Sequence, residues 1–154
     1  LAYMSLAQTL CITLLLTEIL KVYVARPRPN YFHYCGYDKQ KQMCTGSMKH
    51  QKDAKVSFPS GHASISFCSA VWLSLFIQSF FNFTGEIWWI LLRFIPILIA
   101  IFISATRITD YMHHASDVVA GALLGIGIST FVFTSQSSRI RSQIKKSYDP
   151  LLQL

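Results

Sequence analysis

Arg107, Asp110, His113, His114 and Asp117 stand within eleven consecutive positions, between two long apolar runs. Ionisable groups beside membrane-depth segments are costly, so such a crowd points to chemistry. His113 and Asp117 are four apart; on a helix they share a face and can hydrogen-bond. A carboxylate on one imidazole nitrogen fixes the tautomer and leaves the other nitrogen free to attack an electrophile. His62, from another part of the chain, can then protonate a leaving alcohol oxygen. Lys21, Arg28 and Arg107 supply three fixed cations, and the planar fork of Arg suits tetrahedral oxyanions. Ser60 and Gly61 fall at a predicted helix start, where free amides and the helix dipole favour an anion and glycine permits close approach. Together these residues make a phosphate-sized pocket with a nucleophile and an acid.

Other readings of the same residues stay open at this point. A His/Asp pair can be a proton relay in a transporter, or a metal site together with Asp110, although three neighbouring cations would repel the ion. Asp110 reads as a helix cap or a salt-bridge partner. His114 would point about 100° away from His113 on a helix, in a supporting place. His33 and His50 read as interfacial.

The elements that must position these groups follow from composition. Of the 154 residues, 52% are hydrophobic and 14% are charged, with a mean hydropathy of +0.38. That balance indicates an integral membrane protein, an all-α bundle in a single domain. The chain opens on a leucine within an apolar run, so an N-terminally truncated fragment is expected, and no signal peptide is visible. The net charge of +7 reflects either membrane-flanking basic residues or an anionic substrate. The basic residues are divided among loops with apolar spans between them, which argues against a nucleic-acid surface. Cys11 and Cys68 lie in apolar runs; Cys35 and Cys44 share a polar loop, where a disulfide is more plausible than zinc and would place the loop on an oxidising face.

Four spans are expected, at about residues 1–20, 58–81, 87–106 and 118–133. Each approaches the roughly 20 residues that cross a bilayer. Pro27 and Pro29 should stop the first span. Tyr31, Phe32, Tyr34 and Tyr37 open a long polar loop and read as an interfacial aromatic belt. Arg93 is expected to snorkel. Gly121, Gly125 and Gly127 would let a second helix approach the last span. From Ser135 the chain reads as a polar, basic tail. Four antiparallel spans put the end of the first, the start of the second, the end of the third and the start of the fourth on one face. Those four places hold Lys21 and Arg28, Ser60 to His62, Arg107, and His113 with Asp117. All the unusual polar residues therefore converge.

Lys21-x6-Arg28-Pro29, Pro59-Ser60-Gly61-His62 and Arg107-x5-His113-x3-Asp117 together resemble the three-part signature of the type 2 phosphatidic acid phosphatase superfamily. Arg26-Pro27-Arg28-Pro29 and Asp110-Tyr111-Met112-His113-His114 look like its lipid phosphate phosphatase branch. The resemblance covers about residues 18–130. It implies that Lys21, Arg28, Ser60, Gly61 and Arg107 bind phosphate, that His113 forms a phosphohistidine oriented by Asp117, and that His62 protonates the leaving group. It implies no metal or other cofactor. It also implies lipid phosphate substrates such as phosphatidate, lysophosphatidate or diacylglycerol pyrophosphate. Thr106 replaces the serine usual before the third-motif arginine, and keeps a hydroxyl. Six spans are usual in this branch, so two are expected to be missing from this fragment.

The resemblance implies a site on the lumenal or extracellular face of the plasma membrane or an endomembrane. A count of basic residues points the other way, with seven Lys/Arg between Val22 and Phe58 against four in the tail. The Asn82-Phe83-Thr84 sequon would then face the cytosol and stay unmodified. Rival functions are a polyprenyl pyrophosphate or sugar phosphate phosphatase, a vanadate-dependent peroxidase, against which the spans argue, and a transporter or headgroup-binding protein.

Overall fold

A computed structural model describes residues 2–80 and 87–148. The sequon at Asn82 and residues 149–154 lie outside the described residues. Four long helices form the bundle: α1 (Ala2–Val24), α4 (Gly61–Phe80), α5 (Ile87–Thr109) and α6 (Ala115–Tyr148). Between α1 and α4 the loop folds into two short helices, α2 (Tyr31–Tyr34) and α3 (Met48–Asp53). These flank a two-stranded antiparallel hairpin of β1 (Tyr37–Asp38) and β2 (Met43–Cys44).

Among the described residues α1, α5 and α6 are long and apolar enough to cross a membrane. The fourth expected span, α4, is not in that set; it carries His62, Ser64, Ser66, Ser69 and Ser74. Its position explains the composition. It packs against all three other long helices, so Ala63, Ser64, Cys68, Ala70, Trp72 and Ser74 are buried against protein. A helix surrounded by helices needs small residues at its contacts more than it needs lipid-facing bulk.

α1 and α5 are inverted relative to the helices of a soluble bundle. Ser5, Thr9, Thr13 and Thr17 recur every four residues along α1 and are fully buried, whereas Leu15, Ile19, Val22 and Tyr23 are exposed. The hydroxyls are satisfied: Thr9 and Thr13 donate to the carbonyls four residues back, and Thr17 Oγ1 lies 2.9 Å from Ser64 Oγ. In α5 only small positions such as Ala100 and Ser104 are buried. The helix runs unbroken through Pro96. Ser74 donates to the Arg93 carbonyl at 2.8 Å, and the Arg93 guanidinium donates to Gln78 at 2.7 Å.

One helix end agrees with expectation and one departs from it. α1 continues to Val24 and ends where Ala25 turns left-handed (φ 47°), its amide closing on the Lys21 carbonyl at 3.1 Å. The expected tail from Ser135 is instead a continuation of α6 as far as Tyr148. No proline or glycine interrupts residues 128–148. Ile140 is buried with Trp72 and Phe133 in an apolar cluster at the end of the bundle away from the loop.

The tightest contact is between α4 and α6. A Cβ on Gly121 would lie 2.5 Å from the Ser60 carbonyl oxygen, and one on Gly125 would lie 2.2 Å from that of Ser64. The backbones meet there because both positions lack a side chain. Gly127 has nothing within 4 Å of such a Cβ, so it takes no part in that approach. Gly125→Ala should therefore lower stability by about 1–3 kcal/mol or more, since backbone must move. Gly127→Ala should be neutral or slightly stabilising, given alanine's advantage of about 0.8–1 kcal/mol in helices. Thermal unfolding of the two variants in detergent checks this; equal melting temperatures would overturn the packing account.

Candidate active site

Four chain segments deliver the site. The last turn of α1 brings Lys21, whose ammonium pairs with Glu18 at 2.6 Å. It sits directly over Gly61, where an added Cβ would meet Lys21 Nζ at 3.1 Å. Glycine at the start of α4 thus makes room for the cation. Beyond Ala25 the chain extends through Arg26-Pro27-Arg28, and the long loop closes on it. The Arg28 amide donates to the Ala54 carbonyl at 2.9 Å, and its Nε donates to the Asp53 carbonyl at 2.8 Å. The end of α3 therefore grips Arg28 at both backbone and side chain. Arg28 also donates to the Met112 carbonyl at 3.3 Å and lies 5.8 Å from the Tyr34 ring centroid.

The last turn of α5 brings Arg107. Its guanidinium donates to Thr106 Oγ1 and pairs with Asp110 at 2.9 Å. The retained hydroxyl at position 106 thus holds the arginine, and Asp110 is its salt-bridge partner. The Arg107 carbonyl accepts from the amides of Met112 and His113, at 3.2 and 3.3 Å. This ties the turn carrying His113 to the end of α5.

His113 is 4% exposed. Its Nδ1 lies 2.7 Å from the Ser57 carbonyl oxygen. A carbonyl can only accept, so Nδ1 carries the proton and the neutral ring keeps its lone pair on Nε2. Burial disfavours the imidazolium, as do the nearby charges of Arg28 and His62. Together they push the His113 pKa down to about 4 against the upward pull of the Ser57 carbonyl and Asp117.

Asp117 does not hold His113. Its Oδ2 accepts from Ser57 Oγ at 2.6 Å and from the His114 amide at 2.9 Å, and lies 3.2 Å from His114 Nδ1. Its Oδ1 pairs with Arg26 at 2.6 Å. The expected pairing of His113 with Asp117 presumed a helix through both, but α6 begins at Ala115 and His113 lies before it. His114 is the N-cap residue, and the third helical residue, Asp117, reaches back to its amide as in a capping box. Asp117 is linked to the His113 ring through Ser57, whose hydroxyl meets the carboxylate and whose carbonyl meets the imidazole.

Lys21, Arg28, Gly61, His62, Arg107 and His113 line one cavity of about 790 Å³. Ser60 and Asp117 lie behind its wall, both fully buried. The Ser60 amide donates to the Asp117 carbonyl at 2.9 Å, and its hydroxyl accepts from the Ala63 amide at 3.4 Å. Ser60 thus caps α4 and joins it to α6. Tyr34 lines the cavity, while Tyr31, Phe32 and Tyr37 cluster edge to face outside it. Cys35 and Cys44 are joined in a disulfide that ties α2 to β2. Among the described residues no three His, Cys, Asp or Glu side chains converge as a metal site. Arg26 and Ser57 escaped sequence reasoning. Arg26 stands beside an arginine that already filled the motif, and nothing marks a lone serine.

Residues 2–141 match the model of the PAP2 superfamily. The chain belongs to that superfamily. It is 38% identical over 128 residues to the probable lipid phosphate phosphatase 4 of Arabidopsis thaliana, covering 76% of this chain and 42% of that protein. It is 33% identical over 143 residues to lipid phosphate phosphatase 2 of the same plant, with 86% and 49% covered. Phospholipid phosphatase 2 of Homo sapiens is 32% identical over 124 residues, with 71% and 42% covered. The chain therefore spans less than half the length of each. No solved structure matches it. Within this PAP2 chain the match takes in α1, α4 and α5, α6 as far as Arg141, and every residue that lines the cavity.

Two outcomes follow from this geometry. Because the folded His113 pKa lies below the ordinary 6.5, its contribution to stability is intact above pH 6.5 and is lost as pH falls toward 4. Histidine-selective nitrogen NMR of the full-length protein in micelles should show His113 neutral at pH 6; a midpoint near 6.5 would contradict its burial. Arg26→Met strips an ion partner from a fully buried carboxylate. It should cost about 2–4 kcal/mol, below the full buried-pair figure because Arg26 is 36% exposed. Chemical unfolding measures this, and a loss under about 0.5 kcal/mol, the range of ordinary surface substitutions, would show the pair to be dispensable.

Proposed function

We propose that the full-length protein hydrolyses lipid phosphate monoesters without a metal, through a phosphohistidine on His113. Phosphatidate, lysophosphatidate and diacylglycerol pyrophosphate are the substrates in view. One observation carries the reading: Nδ1 of His113 is committed to the Ser57 carbonyl, so Nε2 is the nitrogen left to react, in a cavity that also holds Lys21, Arg28, Arg107 and His62. The names of the relatives support a lipid phosphate as the substrate class.

The three cations and the first amides of α4, at Gly61 and His62, hold the phosphate oxygens. His113 Nε2 attacks phosphorus, the bond from phosphorus to the leaving oxygen, of an alcohol or of the inner phosphate of diacylglycerol pyrophosphate, breaks, and His62 gives that oxygen its proton. In the second half His62 takes a proton from water as its oxygen attacks phosphorus. The N–P bond breaks, and inorganic phosphate leaves with Nε2 restored. Asp117 acts at one remove, by holding Ser57 where its carbonyl orients the ring. Ser60 acts from behind, as the cap that sets the start of α4. The Cys35–Cys44 disulfide supports an extracellular or lumenal site, since such bonds persist in oxidising compartments. A polyprenyl pyrophosphate would suit the same apolar-walled cavity better than a sugar phosphate.

Phosphate release from a panel of lipid and soluble phosphates, in excess chelator, tests the reading. Wild-type release should survive chelation, and His113→Ala should lower it by about 10³-fold or more. Full activity in His113→Ala would remove the nucleophile assignment. No release from any substrate by the full-length protein would favour a transporter or headgroup-binding role.

A further inference from the structure

Arg28 is the cavity cation that the long loop holds, and the loop has almost no core to hold it with. From Asn30 to Val56 only Cys35 and Ala54 are buried. Its hairpin has two residues in each strand, and an isolated hairpin is marginal in water. Two arms nevertheless reach Arg28 from opposite ends of the loop. The first is α2, whose Tyr34 ring centroid lies 5.8 Å from the guanidinium. The second is the end of α3, where the Asp53 and Ala54 carbonyls accept from Arg28. Nε is committed to Asp53 and Nη1 to the Met112 carbonyl. Among the described residues Nη2 has no protein partner, which leaves it for an anion. A slip of either arm would let the fork rotate away from that presentation.

A short series of bonds joins the two arms. Cys35 follows Tyr34 and is fully buried, and its disulfide to Cys44 crosses from α2 to β2. Beside it the Gly46 amide donates to the Cys35 carbonyl at 2.9 Å. Gln51, on α3, donates through Nε2 to the Cys44 carbonyl at 3.2 Å and to the Gly46 carbonyl at 2.7 Å. One side-chain amide thus fastens α3 to the crosslinked turn. His50, also on α3, lies 5.4 Å from the Tyr34 ring between centroids, so the ring closes around Arg28. We propose that Gln51 and the Cys35–Cys44 disulfide position Arg28 for phosphate, as the joint of a clamp whose jaws are Tyr34 and the end of α3. The proposal rests on the phosphatase reading, which makes Arg28 a phosphate ligand, and adds what presets it. Gln51, Cys35 and Cys44 are not among the residues that line the cavity, so they act through Arg28 as positioning residues. A neutral amide suits the joint, because both of its hydrogens meet carbonyls, whereas a carboxylate there can only accept.

Titration of the full-length protein in micelles with inorganic phosphate, followed by phosphorus NMR, tests this. Gln51→Leu and Cys35→Ser/Cys44→Ser should each weaken phosphate binding by about tenfold, since an arginine freed from its fixed fork regains rotamer freedom that binding must then remove. The loss should vanish in an Arg28→Ala background, where Lys21 and Arg107 still attract the anion but the joint has nothing left to position. A merely structural role would lower the number of binding sites along with the folded fraction and leave the affinity of the remainder alone. Unchanged affinity in folded Gln51→Leu, or a loss of the same size beside Arg28→Ala, would overturn the proposal. Gln51→Leu keeps the disulfide, and it decides the matter if the serine pair does not fold. Lipid phosphate release by wild type with unchanged affinity in Gln51→Leu would sink the clamp and keep the phosphatase. Weakened binding in Gln51→Leu, with no release from any lipid by wild type, would do the reverse.

Discussion

A carboxylate sealed from solvent governs the upper half of this molecule. Asp117 is fully buried, and an unpaired charge there would cost several kcal/mol. Its partners must therefore come to it, and they come from three separate places in the chain. Arg26 arrives from the exit of α1, Ser57 from the segment before α4, and His114 from the cap of α6 itself. The Ser57 amide also donates to the Arg26 carbonyl at 2.9 Å, so two of these partners hold each other as well. Satisfying one charge fixes the relative positions of three helix ends. The position of His113 follows, because the residue that satisfies the carboxylate with its hydroxyl presents its carbonyl to the imidazole.

This arrangement shows what the sequence could and could not convey. The four long helices, their antiparallel order and the convergence of Lys21, Arg28, His62, Arg107 and His113 were legible. They depend on apolar run length and on alternation of direction, which are properties of the chain order. The pairing of Asp117 was not legible. Spacing of four implies contact only inside a helix, and whether His113 or Ala115 opens α6 depends on a cap built from residues in contact elsewhere. Ser57 was invisible for a similar reason: half of its part is played by its backbone carbonyl, which every residue has. The amide of Ser60, expected to meet an anion, already donates to the Asp117 carbonyl, a pairing between helix ends that spacing does not reveal. The continuation of α6 beyond Ser135 was missed because polarity was taken as an end signal, although nothing there breaks a helix and Ile140 has a buried place to pack.

The cavity's cations divide into two kinds. Arg28 is fixed by carbonyls at the end of α3 and by Met112, all within the protein. Lys21 and Arg107 instead pair with Glu18 and Asp110, which are 61% and 51% exposed. Ion pairs with exposed partners contribute only about 0–1 kcal/mol. A dianionic phosphate can displace such partners at little cost, whereas moving Arg28 would break bonds to buried backbone. In the proposed reaction Arg28 is thus a preset anchor, and Lys21 and Arg107 exchange one anion for another. Glu18 and Asp110 keep the two cations extended toward the cavity and compensate their charge until phosphate arrives.

Behind the cavity, α4 and α6 meet backbone to backbone at Gly121 and Gly125, and the Ser60 amide is bound to the start of α6. In front, α4 meets α1 and α5 through small residues, the buried hydroxyls of α1 and Ala100 and Ser104 of α5. A rigid rear wall holds His113, the group whose orientation matters most to an in-line attack on phosphorus. Glycines at the rear and small residues at the front thus do the same work, each letting α4 come close to a neighbouring helix.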